Sequence, residues 1–292
     1  MKIGLYLDKI NSFTHCLGVY GEEILVDAYI KGLRKNYPEN TFNKYGDNMG
    51  FTPVVDIAIY FSGNAKNKGK QKNIYIQQNY RIEDDLQTKI VKQYKDIIRN
   101  SNIKVATISE KYSKEYEWQL IEPCVDTDLF YPVKFNQLYN FDVSYIGNNI
   151  KDLEKSKQYL GIQGAKVGVF GHGFNKPISH KDSLNIYTSS FVNLNYVIRP
   201  ELDVLICRPY QIASCKGFIV SEWTESLEKN FGNTIEYVRP GQNPSLRIKE
   251  VLAQIKGNTS KAKQQREEAY KIVLEKFNCE IQAEKLWRWI NE

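Results

Sequence analysis

Residues 124–132 read CVDTDLFYP, and the chain's pattern of apolar runs starts afresh on their far side. Two carboxylates, Asp126 and Asp128, flank Thr127. An Asp-x-Asp pair suits a hard divalent cation, which prefers carboxylate oxygens, but the same residue types also build turns. The neighbours decide. Pro132 pushes Tyr131 out of helical space, and Phe130 and Tyr131 are bulky anchors for a segment crossing between two bodies. A cation-binding pair belongs at the carboxyl end of a strand, in a crevice. The stretch reads as a structural hinge, and metal binding is the weaker alternative.

Upstream, KIGLYL (2–7) is a short apolar run suited to a buried parallel strand. After a loop with Gly18 and Gly21, EEILVDAYIKGLRK (22–35) has apolar residues at 24, 25, 28, 29 and 33, with acids first and bases last. That is helical spacing with the helix dipole complemented. VVDIAIYFSG (54–63), NIYIQQ (73–78), IKVATIS (103–109) and WQLIEP (118–123) predict further strands, with a helix over 84–99. Downstream, FDVSYIGN (141–148) opens a second unit, followed by a helix over 151–160. Strands are expected within AKVGVFGHG (165–173), SFVNLNY (190–196), GFIVS (217–221) and 235–238. Helices are expected near 183–188, 203–214 and 245–256, with one long polar helical tail from about 260 to 291. Strands alternating with helices predict an α/β fold with parallel sheets. Two Rossmann-like domains result, 1–132 and 133–275, facing a cleft.

A length of 292 residues accommodates both. The 42% hydrophobic and 25% charged content is that of a globular protein. Excess Asn, Lys, Ile and Tyr reads as AT-rich codon usage before it reads as function. Five scattered cysteines without a C-x-x-C pair imply a reducing compartment and no disulfide framework. The opening MKIGLYLDKI is charged too early for a signal peptide, and no apolar run approaches the roughly 20 residues of a membrane span. A cytoplasmic location is expected. The net charge of +6 favours anionic ligands, but basic and acidic residues are interleaved, so a nucleic-acid footprint is disfavoured. No zinc spacing, P-loop, Ser-His-Asp order or G-x-G-x-x-G fingerprint occurs. The missing fingerprint argues against a dinucleotide oxidoreductase.

CVDTDLFYP resembles the gVDtelFxP segment that ends the amino-terminal domain of group 1 glycosyltransferases of the GT-B fold. YTSSFVNLNY (187–196) and LICRPYQIASCKGFIVSEWTESLEKNF (205–231) resemble their carboxyl-terminal domain, closest to the spore-maturation-protein-like branch. The resemblance implies a transferase that moves a sugar from a nucleoside diphosphate sugar, its co-substrate, without a metal or other cofactor. The acceptor would be a glycan, a protein or a lipid carrier. It also implies that the last helix, 276–292, crosses back onto the first domain, anchored by Leu286, Trp287 and Ile290; peripheral membrane contact is the alternative for that amphipathic tail. Two departures stand out. Gln211 occupies the place of a Glu expected to hold the donor ribose, and Lys216 precedes the glycine step. Gln keeps donor and acceptor capacity but gives up charge-assisted strength. A degenerate binder without turnover, or a structural surface or coat protein, is therefore a rival.

On the donor side the loops IGNN (146–149) and FGHGF (170–174) offer Gly147, Asn148, Gly171, His172 and Gly173. Glycines let backbone N–H groups approach a diphosphate, although tight turns use them equally. Arg208 suits the diphosphate because guanidinium pairs phosphate oxygens through two bonds. Tyr210 either stacks or packs, and Gln211 and Ser214 lie within a turn of Arg208. Asn193 and Asn195 alternate with apolar residues, and such buried polar groups need partners from a ligand or a neighbouring loop. On the acceptor side, Gly18 and Gly21 shape the first loop. The resemblance places a general base there, His15 with Asp8 as its rival, and imidazole titrates near neutral pH.

Overall fold

The computed structural model describes residues 1–7, 21–46, 54–61, 72–77, 92, 95–96, 103–147, 153–171, 178–197 and 200–292. Its frame is two all-parallel sheets. The first contains β1 (Lys2–Leu7), β2 (Thr41–Gly46), β3 (Ile57–Tyr60), β4 (Lys72–Gln77), β5 (Lys104–Thr107) and β6 (Gln119–Leu120), in the order β2-β1-β3-β4-β5-β6. The second contains β7 (Val143–Ile146), β8 (Val167–Phe170), β9 (Val192–Asn195), β10 (Ile219–Glu222) and β11 (Glu236–Val238), in the order β11-β10-β9-β7-β8. In each, the strand order reverses beside the opening strand, between β1 and β3 and between β7 and β9. Open α/β sheets bind ligands at the carboxyl edge of such a switch point.

Apolar runs buried on both faces became the predicted strands. β1 and β3 are buried almost throughout. One rung crosses four strands in register as Tyr45, Tyr6, Tyr60 and Tyr75, with successive ring centroids 4.8–5.2 Å apart. Gly4 makes room for it, since a Cβ there would lie 2.6 Å from the Tyr6 ring. Helix α1 (Gly21–Asn36) follows, then α2 (Glu110–Tyr116), α3 (Leu153–Leu160), α4 (His180–Ser189), α5 (Arg208–Ser214), α6 (Glu225–Phe231), α7 (Pro244–Gly257), α8 (Thr259–Ile272) and α9 (Cys279–Asn291).

Several boundaries differ from the sequence expectation. β2 was not expected, because TFNKYG lacks an apolar run; as the edge strand it buries Phe42 while its middle residues are half-buried. The helix expected over 203–214 begins only at Arg208. Pro209 sits in its first turn, where a missing N–H costs nothing, and two preceding residues pair with the segment after β5: Val204 bridges Ser109, and Leu205 N–H donates to the Ile108 carbonyl at 2.8 Å. The tail is two helices. α8 runs into a π-turn over Val273–Phe277, and Asn278 caps α9 by accepting from the N–H groups of Glu280 and Ile281. The helix expected over 84–99 falls almost wholly outside the described residues; Lys92, Lys95 and Asp96 are helical.

The seam has a definite answer for CVDTDLFYP. Val125 N–H donates to the Phe277 carbonyl at 2.9 Å, tying the stretch to the returning tail. Asp126 closes a turn by accepting Asp128 N–H at 2.9 Å. Lys31 of α1 then takes both carboxylates, Asp126 Oδ1 at 2.5 Å and Asp128 Oδ2 at 2.7 Å. That hydrogen bond and the ammonium charge hold the Asp128 carboxyl below its ordinary range. Phe130 is buried, His180 meets its ring edge-on, and His180 Nε2 lies 2.7 Å from the Leu129 carbonyl. The acidic pair is a latch between α1 and the crossing segment.

α9 docks on α1, as expected for the crossing helix. Leu286 and Ile290 are buried, and Trp287 packs on Tyr37 and Phe42. The approach is closest at Gly32, where a Cβ would stand 2.0 Å from the Cys279 carbonyl oxygen. Backbone cannot swing aside as a side chain does. Gly32→Ala is therefore expected to force the helices apart and destabilise the fold by about 2 kcal/mol, the usual scale of overpacking, read as a lowered urea midpoint with unchanged m-value.

Candidate functional site

The carboxyl edge of the second sheet carries a polar stripe on one face and an aromatic one on the other. Side chains alternate along β9, so Asn193 and Asn195 share a face. Asn193 accepts from Ser144 Oγ at 2.8 Å and donates to the carbonyls of Tyr187 and Phe218 at 3.0 and 3.3 Å. It is 1% exposed, and its partners are neighbouring strands and loops. Asn195, at the strand end, donates to Ser221 Oγ at 2.9 Å. On the other face Tyr145 stacks on Tyr196 at 4.4 Å, and Tyr196 on Tyr159 at 4.9 Å.

Arg208 lies across this edge and touches both faces. Its Nη1 donates to Asn195 Oδ1 at 3.4 Å and to the Tyr196 carbonyl at 3.3 Å, both long. Its guanidinium carbon stands 4.8 Å from the Tyr145 ring centroid, a cation–π contact that orients the plane. Among the described residues, Nη2 and Nε have no hydrogen-bond partner. Nη2 faces Gly147: a Cβ there would lie 2.7 Å from Nη2 and 2.6 Å from Tyr145 Oη. Gly147 thus lets the guanidinium and the Tyr145 hydroxyl pack against its backbone.

The two glycine loops meet. Gly147 N–H donates to the Phe170 carbonyl at 2.9 Å. Gly171 has φ +121, and a Cβ on it would stand 2.0 Å from the Gly147 carbonyl oxygen. Gly171 serves close backbone approach, and Gly147 serves the close packing of Arg208 and Tyr145.

The other expected residues are distributed unevenly. Tyr210 is fully exposed to the core and not to solvent: its ring packs on Phe231 and Phe277, and its hydroxyl accepts from Asn230 Nδ2 at 2.8 Å. Of its two alternatives the structure shows packing. Ser214, also buried, donates to the Phe130 carbonyl and so fastens the crossing segment. Gln211 is half-buried, one turn beyond Arg208, and its side chain makes no hydrogen bond among the described residues. Gly21 opens α1. Asp8, His15, Gly18, Asn148, His172 and Gly173 lie outside the described residues. Asp8 and His15 belong to the connection leaving β1, the switch-point strand of the first sheet.

Three residues of the site, Tyr145, Lys155 and Glu222, were not singled out for it by sequence. Asn195 and Tyr145 hold Arg208, while Lys155 and Glu222 pair beside them at 2.8 Å. Tyr145 lies two residues before Gly147, and Glu222 ends a strand; both positions are signals that register alone makes meaningful. The two carboxyl edges adjoin here, because the segment leading into Arg208 bonds the residues that follow β5: Leu205 to Ile108, and Ser109 Oγ to the Leu202 carbonyl. A half-buried cation with open donors, at a switch point and beside a glycine, is suited to a phosphate-bearing ligand.

Comparison with known proteins agrees in fold. The chain is similar to sucrose-phosphate synthase from Thermosynechococcus elongatus, with TM-score 0.73 and 11% identity, covering 99% of this chain and 98% of that one. It is similar to an α-glucosyltransferase solved with UDP and a 13-mer DNA containing an HMU base, with TM-score 0.70 and 10% identity over 100% and 99% of the two chains. HepE from Anabaena, solved with UDP-glucose, gives TM-score 0.69 and 10% identity over 100% and 99%. No curated protein matches in sequence. The architecture is GT-B, two parallel-sheet α/β units with the closing helix returned to the first. Residues 138–288, more than half of the chain, match the family described as glycosyl transferase-like, and the chain belongs to that family.

Proposed function

We propose that the protein transfers a sugar from a nucleoside diphosphate sugar, of the uridine class, to an acceptor, without a bound metal. The observation that carries this reading is Arg208: a guanidinium anchored on Tyr145, Asn195 and Tyr196 at the β7/β9 switch point, packed beside Gly147, with Nη2 and Nε unpaired among the described residues. The diphosphate would lie there, with Gln211 nearest for the ribose. Protein cations in place of a metal agree with the engagement of Asp126 and Asp128 by Lys31. The uridine class is supported by the UDP and UDP-glucose bound to structural neighbours.

The acceptor side would be formed by the connection leaving β1, with His15 or Asp8 as general base if the transfer inverts configuration. A glycan, a protein or a lipid carrier is proposed as acceptor. One neighbour was solved with DNA, so modified DNA is the case against which those three are to be compared. We also propose domain limits of 1–132, 133–275 and 276–292, kinship with the spore-maturation-protein-like branch through Arg208, Gln211 and Gly217, and a cytoplasmic site. Cys124, Cys207, Cys215 and Cys279 form no disulfide among the described residues. No described helix is long and apolar enough to cross a membrane.

Incubation of the purified protein with UDP-glucose and other UDP-sugars in EDTA tests the activity. Slow release of UDP, lost in Arg208→Ala, is the expected result. Binding of UDP without release or transfer over a broad acceptor panel would instead favour a donor-binding protein without turnover, a reading motivated by Gln211.

A further inference from the structure

The last rung shared by β9 and β10 sets Asn195 against Ser221. Beyond it the peptide between Tyr196 and Val197 has no strand partner, although both residues are buried. A buried N–H or carbonyl left unpaired costs about 1–3 kcal/mol. Two side chains replace the missing ladder. Glu222, the last residue of β10, accepts the Val197 N–H through Oε2 at 3.0 Å. Lys155, on α3, donates to the Val197 carbonyl at 2.6 Å and pairs with Glu222 Oε1 at 2.8 Å. Both side chains are 15% exposed, so the pair is largely shielded from water.

The geometry connects this clamp to the cation. A trans peptide is planar, and its N–H and carbonyl point in opposite directions. Glu222 holds the N–H edge of the Tyr196–Val197 peptide, and Arg208 Nη1 bonds the carbonyl edge of the same unit at 3.3 Å. Fixing one edge fixes the other. A carboxylate on the N–H also polarises the peptide, which strengthens the carbonyl as an acceptor.

Resting on the donor reading above, we infer that Lys155 and Glu222 are positioning residues for the diphosphate. They set the Tyr196 carbonyl, which holds the Arg208 guanidinium with Nη2 toward Gly147. The effect has a sign that simple electrostatics does not share. Removing a negative charge near an anion site strengthens anion binding if only charge matters; removing the clamp weakens it.

The test is calorimetric titration of the full chain with UDP and, separately, with uridine, which lacks the phosphates. Glu222→Ala is expected to bind UDP about tenfold more weakly, with uridine affinity unchanged, and Glu222→Gln, which still offers an oxygen to Val197 N–H, to recover most of the loss. The double variant Lys155→Met with Glu222→Leu guards against misfolding, since exchange of a buried ion pair for apolar residues is often well tolerated. It leaves net charge unchanged and is also expected to lose about tenfold toward UDP alone. Tighter UDP binding by Glu222→Ala, or wild-type UDP affinity in the double variant, overturns the inference while leaving the donor site standing. Absence of UDP binding by the wild-type chain removes the donor reading itself, and the inference falls with it.

Discussion

Arg208→Ala is expected to lower affinity for UDP by on the order of a hundredfold while leaving the fold intact. Hydrogen bonds to charged groups contribute about 1.5–3 kcal/mol each when made by a guanidinium to phosphate oxygens, and 1.4 kcal/mol is a factor of ten. Two such bonds account for the expected loss. Stability should change little, because the two bonds that Arg208 makes to protein are long, at 3.3 and 3.4 Å, and the side chain is only half-buried. Arg208→Lys should recover a minor part, since an ammonium supplies charge without the planar fork. Titration calorimetry reads the affinities, and thermal unfolding without ligand separates them from any folding defect.

The two glycines of the donor edge should fail in opposite ways. Gly171→Ala meets a backbone oxygen at 2.0 Å from a φ of +121, where L residues are strained. Neither partner can rotate away, so a loss on the order of 3 kcal/mol is expected from strain and clash together, seen as a lowered urea midpoint. Gly147→Ala meets only the ends of two side chains, Tyr145 Oη and Arg208 Nη2. The guanidinium can move and the buried Tyr145 ring yields less, so stability should fall by about 1 kcal/mol. The displaced guanidinium, however, should weaken UDP binding about tenfold. Equal stability losses for both substitutions would contradict the contact of Gly147 with a guanidinium that can give way.

Sequence made the strands legible wherever burial on both faces imposed an unbroken apolar run, as in KIGLYL and VVDIAIYF. It did not show β2, whose edge position allows polar residues, nor the late start of α5. Val204 and Leu205 are buried as helical spacing implies, but through pairing with the Ile108–Ser109 strand end, a tertiary contact that no local pattern carries. The tail looked continuous because Asn278 is as compatible with a helix surface as with a cap. At the site, Arg208 was legible from its chemistry and from its place beside Pro209. Of its supports only Asn195 was, because Tyr145, Lys155 and Glu222 converge through strand register and crossover connections. Tyr210 and Ser214 carried a usable signal: residues four apart share a helix face, and two positions from Arg208 that face points elsewhere. The structure places both inside the core.

The central claim is that the Arg208 crevice binds a nucleoside diphosphate without a metal. Its most direct measurement is titration of the EDTA-treated wild-type chain with UDP, alongside GDP and ADP, followed by calorimetry and by thermal unfolding. Saturable binding of UDP in EDTA is expected, with apparent stability raised by about 2.7 kcal/mol at a hundredfold excess over Kd. Silence toward all three nucleotides, or binding that appears only when Mg²⁺ is restored, would contradict it.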